Sequence, residues 1–126
     1  MSDIKDLVQT TLDTTLYPNV LSYWLRKSGG PADEYIVYSQ NGDNSKGHAD
    51  DIIFFKAGDI TVRYYYRAEK IDSYTGRQAI ITRIDSIQTA LEEAGFSIPG
   101  GSFDVGDVDG IGYFVTVFEC EYWRDI

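Results

Sequence analysis

Apolar positions along the chain fall into two kinds of run: some recur every three or four residues, and others alternate or continue unbroken. Residues 2–16 carry the first helical pattern, with Ile4, Leu7, Val8 and Leu12 on one face. Ser2 is a suitable cap, Asp3 and Asp6 suit the positive end of the helix dipole, and Tyr17-Pro18-Asn19 stops the pattern. The second helical pattern places Ile80, Ile84, Ile87, Leu91 and Ala94 at helical intervals, joined by Ile81. Thr75 and Gln78 have capping-box spacing ahead of it, and Gly95 is placed to end it in the left-handed conformation.

Between and after these helices the runs favour strands. Residues 20–25 read as a strand or as an aromatic-rich irregular segment, and Ser28-Gly29-Gly30-Pro31 is a break. Residues 35–39 form a β-branched and aromatic strand, followed by a polar loop over 40–50. A second strand is expected over 51–56, a turn at Ala57-Gly58-Asp59, and a third strand over 60–67. That third strand alternates strictly. Ile60, Val62, Tyr64 and Tyr66 share one face, and Thr61, Arg63, Tyr65 and Arg67 the other, predicting one buried and one wet face. Residues 102–105 make a short strand, Asp107-Val108-Asp109-Gly110 a turn, and residues 112–123 a long strand expected at the centre of a sheet. The order of elements and their short connections predict an α+β fold over 1–126. It comprises one antiparallel, or mixed, sheet of about four to five strands with two helices packed on one face.

Charge and composition then narrow the function. The 126 residues include 20 Asp and Glu against 11 Lys and Arg, a net charge of −9. Such a chain repels nucleic acid and anionic lipid unless its cations cluster, and these do not. Cys120 is the sole cysteine, which excludes an intramolecular disulfide and a zinc cluster, and with an acidic start that lacks a signal-peptide stretch it predicts a protein kept in a reducing cytoplasm or delivered by assembly rather than secretion. His48 is the sole histidine. No apolar run approaches the roughly 20 residues of a membrane span.

Candidate chemistry is sparse. His48 with Asp50 and Asp51 could act as a base or supply one metal ligand, but a solvated loop histidine is the stronger reading. Cys120 lies between Glu119 and Glu121, which would raise its pKa, so it reads as a small buried apolar residue. Asp104, Asp107 and Asp109 suggest calcium. Counted from Asp107, however, the fifth position is Ile111, and the calcium-loop pattern fails. The Gly95 to Gly101 stretch contains Pro99 and opens no helix, so it is no phosphate cradle. No catalytic, cofactor-binding or metal-ligating residue is assigned, and no cofactor is expected. What remains unusual is the supply of rings, ten tyrosines and two tryptophans. They divide between a sheet core and a protein interface, where such residues are enriched.

Several features together resemble a known family. An N-terminal helix comes first, and Tyr35-Ile36-Val37-Tyr38 follows a Pro, Gly and acidic break. A tyrosine-rich strand over 60–67 leads to a helix ending Leu91-Glu92-Glu93-Ala94-Gly95-Phe96, then an acidic turn and a long aromatic last strand. From about Leu7 to Trp123 this resembles the tail terminator, or tail completion (head–tail joining), proteins of long-tailed, siphovirus-type bacteriophages. Residues 20–27 depart from the family, whose extended stretch there is shorter. The resemblance implies a structural virion protein without catalysis. It would self-assemble into a ring, a homohexamer, that caps the tail tube and meets the major tail tube protein and a head-completion protein. DNA would pass through without specific binding, and the acidic surface would let it slide rather than stick. The implied location is the head-proximal end of the virion tail, with assembly in the host cytoplasm. A different class fits the same residues: a small acidic cytoplasmic adaptor or regulatory binding domain of prophage or bacterial origin. A third reading is an enzyme using His48.

Overall fold

A computed structural model describes residues 4–42, 54–107 and 110–125. Helix α1 (Ile4–Leu16) buries Val8, Leu12 and Leu16, each one turn after the last, while Ile4 and Leu7 pack partly against the core. A polar residue on this helix also fixes it. The Gln9 amide donates to the Ser22 carbonyl (3.2 Å) and accepts from the Tyr38 hydroxyl (2.7 Å).

Residues 20–25 resolve as a strand, β1 (Leu21–Trp24), which pairs in parallel with β2 (Glu34–Gly42). Short connections normally favour antiparallel neighbours. Here residues 25–33 carry the chain back along the sheet, with Leu25 (φ 70) and Gly29 (φ 81) in the left-handed region. The Leu25 N–H extends the pairing by donating to the Tyr38 carbonyl at 2.9 Å.

The turn expected at Ala57-Gly58-Asp59 does not exist. Residues on both sides belong to one strand, β3 (Phe54–Arg67), whose register shifts between Lys56 and Gly58. A bulge absorbs the extra residue, and glycine in a strand commonly marks one. The partner strand β6 (Tyr113–Asp125) is long enough to pair with all of β3, so the chain has no need to reverse. The rest of the expected second strand, 51–53, lies outside the described residues. On the other edge of β6 lie β4 (Phe96–Ser97) and β5 (Ser102–Val105), both antiparallel to it. The sheet is therefore mixed and six-stranded, in the order β1-β2-β3-β6-β4 with β5 also beside β6. The α+β class is as predicted, with more strands than expected and the long last strand at its centre.

Helix α2 (Tyr74–Glu93) starts two residues earlier than the Thr75–Gln78 spacing implies. Ser73 is the cap, and its hydroxyl accepts the Gly76 N–H at 3.0 Å. A 3-10 turn (Ala68–Ile71) leads in, and it explains Gly76: a Cβ there would lie 1.9 Å from the Lys70 carbonyl oxygen. Ile80, Ile87 and Leu91 are buried and Ile84 partly so, whereas Ile81 faces solvent. Gly95 ends the helix with φ +104, as expected, and the Tyr122 ring packs against it.

One buried cluster unites these elements. It gathers Val8, Leu12 and Leu16 from α1 and Ile80, Ile87 and Leu91 from α2. From the strands it takes Ile36, Tyr38, Ile60, Val62, Tyr64, Phe118 and Cys120. The strand members are one another's register partners, so they share a face of the sheet. Tyr64 is fully buried and its hydroxyl donates to the Glu34 carboxylate, which also accepts from Arg83 of α2 at 3.3 Å. The pair thereby ties helix to sheet and satisfies a buried phenol.

The two candidate caps give a direct test. Ser73→Ala should cost about 1 kcal/mol in urea unfolding, while Thr75→Ala should stay within about 0.5 kcal/mol.

Candidate interaction surface

The register that puts Tyr64 in the core puts its neighbours Arg63 and Tyr65 on the opposite face. On that face Tyr65 lies opposite Tyr35 and Val115, and Arg63 lies between Val37 and Val117. Phe103 and Val105 of β5 continue the surface past Val117 and Val115. This face is not simply wet. Tyr35 and Val117 are buried although neither belongs to the helix-side cluster.

Rings supply much of the burial. Tyr35 stacks on Tyr65, centroids 4.7 Å apart and planes 9° apart, and meets Tyr113 edge-on at 5.5 Å. Cations sit around the group, with Lys27 5.5 Å from the Tyr35 ring and Arg67 5.1 Å from the Tyr113 ring. Arg67 also pairs with Asp33 (3.1 Å), and the Tyr113 hydroxyl donates to the Ala32 carbonyl (2.5 Å). Burial, then the neighbouring Tyr65 and Tyr113, push the Tyr35 phenol above its ordinary value, so it stays neutral at physiological pH.

Beside the rings is a hollow of about 140 Å³, lined by Arg63, Tyr65, Val105, Asp107, Ile111 and Tyr113 among others. Its wall is held by Asp107, whose two carboxylate oxygens accept the N–H groups of Ile111 and Gly112, each at 2.8 Å. Gly112 (φ +83) supplies the left-handed backbone this clasp requires. Arg63 enters the hollow from the central strand, and among the described residues its guanidinium has no hydrogen-bond or ion-pair partner.

The sheet also ends in two different edges. Among the described residues β1 pairs only with β2 at one edge, and β4 and β5 pair only with β6 at the other. Large apolar side chains stand exposed at both: Leu21 and Trp24 (51 % exposed) in β1 with Leu25 after it, and Phe103 (46 % exposed) in β5 with Ile111 nearby in sequence.

The residues singled out for chemistry do not converge. His48, Asp50, Asp51 and Asp109 lie outside the described residues. Asp104 accepts from the Thr116 hydroxyl (3.2 Å) while Asp107 clasps its loop, so the two do not act together. Among the described residues no group of three or more His, Cys, Asp or Glu could hold a metal ion, and no helix is long and apolar enough to cross a membrane. Cys120 is buried opposite Ile60, and its thiol faces the Phe118 carbonyl at 3.7 Å. Its pKa is raised to about 12, but burial is the cause. Glu119 and Glu121 alternate to the other face of β6. Sequence reasoning passed over Arg63 and Gln9. The only local sign of Arg63 was a cation in the middle of a strand of rings.

No protein-family model matches the chain, and no curated protein matches it.

The thiol makes a pH prediction. Cys120 ionises near 9 when unperturbed and near 12 in the folded chain. The unfolded state therefore sheds this proton first as pH rises, and the thiol's contribution to stability is lost progressively above about pH 9. Relative to Cys120→Ala, the native chain should lose denaturant midpoint between pH 9 and 11 and show no such relative change below pH 8. Iodoacetamide at pH 8 should leave the folded thiol unmodified.

Proposed function

We propose that this chain is a structural assembly protein that associates head to tail through the two edges of its sheet and performs no catalysis. In this reading it forms a ring, a homohexamer, at the head-proximal end of a phage tail. It caps the tail tube, meets the major tail tube protein and a head-completion protein, and lets DNA pass without gripping it. The observation that carries the reading is the pair of unlike edges that each expose large apolar side chains, Leu21 and Trp24 in β1 and Phe103 in β5, although β5 also carries Asp104. Native sheets ordinarily blunt their edges with charge or proline. β1 reads Leu-Ser-Tyr-Trp and has neither. Two different edges on one subunit are what a closed ring of repeated contacts requires. The resemblance of the sequence's order of elements to tail terminators and the net charge of −9 favour the same reading.

A second reading, the small acidic adaptor, draws on Arg63 in its hollow, unpaired among the described residues, which suits a single partner segment.

Light scattering on size-exclusion peaks tests the ring. The native chain should grow with concentration toward a closed species of about six subunits. Leu21→Asp and Phe103→Asp, both at exposed positions, should each be monomeric alone. Mixed in equal amounts they should form a dimer and nothing larger, because each keeps the edge the other lacks. Monomers at every concentration, or substituted chains that associate like the native one, would contradict head-to-tail assembly.

A further inference from the structure

We infer that the hollow on the open sheet face is a docking site for a partner-protein segment that presents a carboxylate side chain beside an aliphatic one. Its cation is Arg63. The side chain rises from the central strand with Val37 and Val117 across the register and Thr61 and Tyr65 as its same-face neighbours on β3. Three other strand and helix arginines whose side chains are described have partners: Arg67 pairs with Asp33, Arg83 with Glu34, and Arg77 donates to the Ile71 carbonyl. Arg63 alone among these four has none among the described residues, in a chain with 20 acidic residues to choose from.

Asp107 is the acid at hand, since it lines the same hollow. Its oxygens are already taken by the Ile111 and Gly112 N–H groups, and it makes no ion pair with Arg63. The fold therefore spends its nearby carboxylate on shaping the wall and leaves the guanidinium presented. A guanidinium fork matches a carboxylate with two parallel hydrogen bonds.

The remaining lining selects the occupant's body. Val105, Val115 and Val117 are aliphatic, Tyr65 and Tyr113 add ring surface, and Ile111 is an exposed apolar rim. About 140 Å³ is room for a side chain and not for a folded element. Arg63 is the one cation among the lining residues and shares the hollow with the Asp107 carboxylate, which suits a single carboxylate better than a run of nucleic-acid phosphates. One carboxylate on an apolar stem meets the charge and the walls together. The inference stands independently of ring assembly, because it uses the face of the sheet and not its edges.

The test is an NMR titration of the full chain with a blocked tripeptide, Val-Glu-Val, its Val-Gln-Val counterpart, and isovalerate. The Glu peptide should saturably shift the methyl signals of Val105, Val115 and Val117, and the Gln peptide should bind at least about tenfold more weakly. Arg63→Gln should weaken the Glu peptide by a similar factor while the core methyls of Val62 and Leu12 keep their native shifts. Equal binding of the two peptides, or shifts that map elsewhere, would overturn the proposal. So would isovalerate binding as tightly as the tripeptide, which would make this a small-carboxylate site. Methyl shifts at the hollow that vanish on dilution, and are absent in Arg63→Gln, would overturn it in favour of a second copy as occupant.

Discussion

β3 runs through the middle of the sheet, and its strict alternation decides what each side of the molecule becomes. Ile60, Val62, Tyr64 and Tyr66 enter the core, and Thr61, Arg63, Tyr65 and Arg67 must then face the other way. A slip of one residue against β6 would bury two arginines and expose the core set. The bulge between Lys56 and Gly58 lets β3 stay paired along β6 without such a slip. The Glu34 carboxylate then locks the register from the side, since it accepts from both Tyr64 of β3 and Arg83 of α2. Helix placement, the open aromatic face and the Arg63 hollow all follow from this one alignment.

Features governed by local chemistry were legible in the sequence. The face of Ile80, Ile87 and Leu91, the alternation along 60–67, the ending at Gly95 and the central position of the last strand are all present as read. Features governed by distant partners were not. Ala57-Gly58-Asp59 has turn-forming residues, and only the length of β6 explains why the chain runs straight through. Both Ser73 and Thr75 are chemically fit to cap α2. Ser73 is the one whose hydroxyl accepts a helix N–H, that of Gly76. The parallel seat of β1 likewise depends on a return path that local propensity does not encode. The candidate surface divides in the same way. An excess of tyrosine is visible in the composition, but an arginine unpaired among the described residues is defined by what fails to stand opposite it.

Acidity takes on a more specific meaning in this setting. Described cations such as Arg67, Lys70 and Arg83 are engaged by Asp33 and Glu34, which hold the β2–β3 end and α2 together. A surface left with a net charge of −9 repels copies of itself as well as DNA. The proposed association would then rest mainly on uncharged contacts such as Leu21, Tyr23 and Trp24 of β1, with Lys5 over the Trp24 ring and Asp104 in β5 as the charges nearby. Closure of the proposed ring would accordingly strengthen with salt, as like-charge repulsion is screened.

Amide hydrogen exchange compared between dilute and concentrated chain is the most direct measurement of whether the sheet edges are where copies meet. Edge-to-edge assembly requires that amides of β1 (21–24) and β5 (102–105) gain protection on concentration, with α1, α2 and the central β3–β6 pair unchanged. Protection that appears instead on the outer faces of α1 and α2, with both edges exchanging as freely as before, would contradict it.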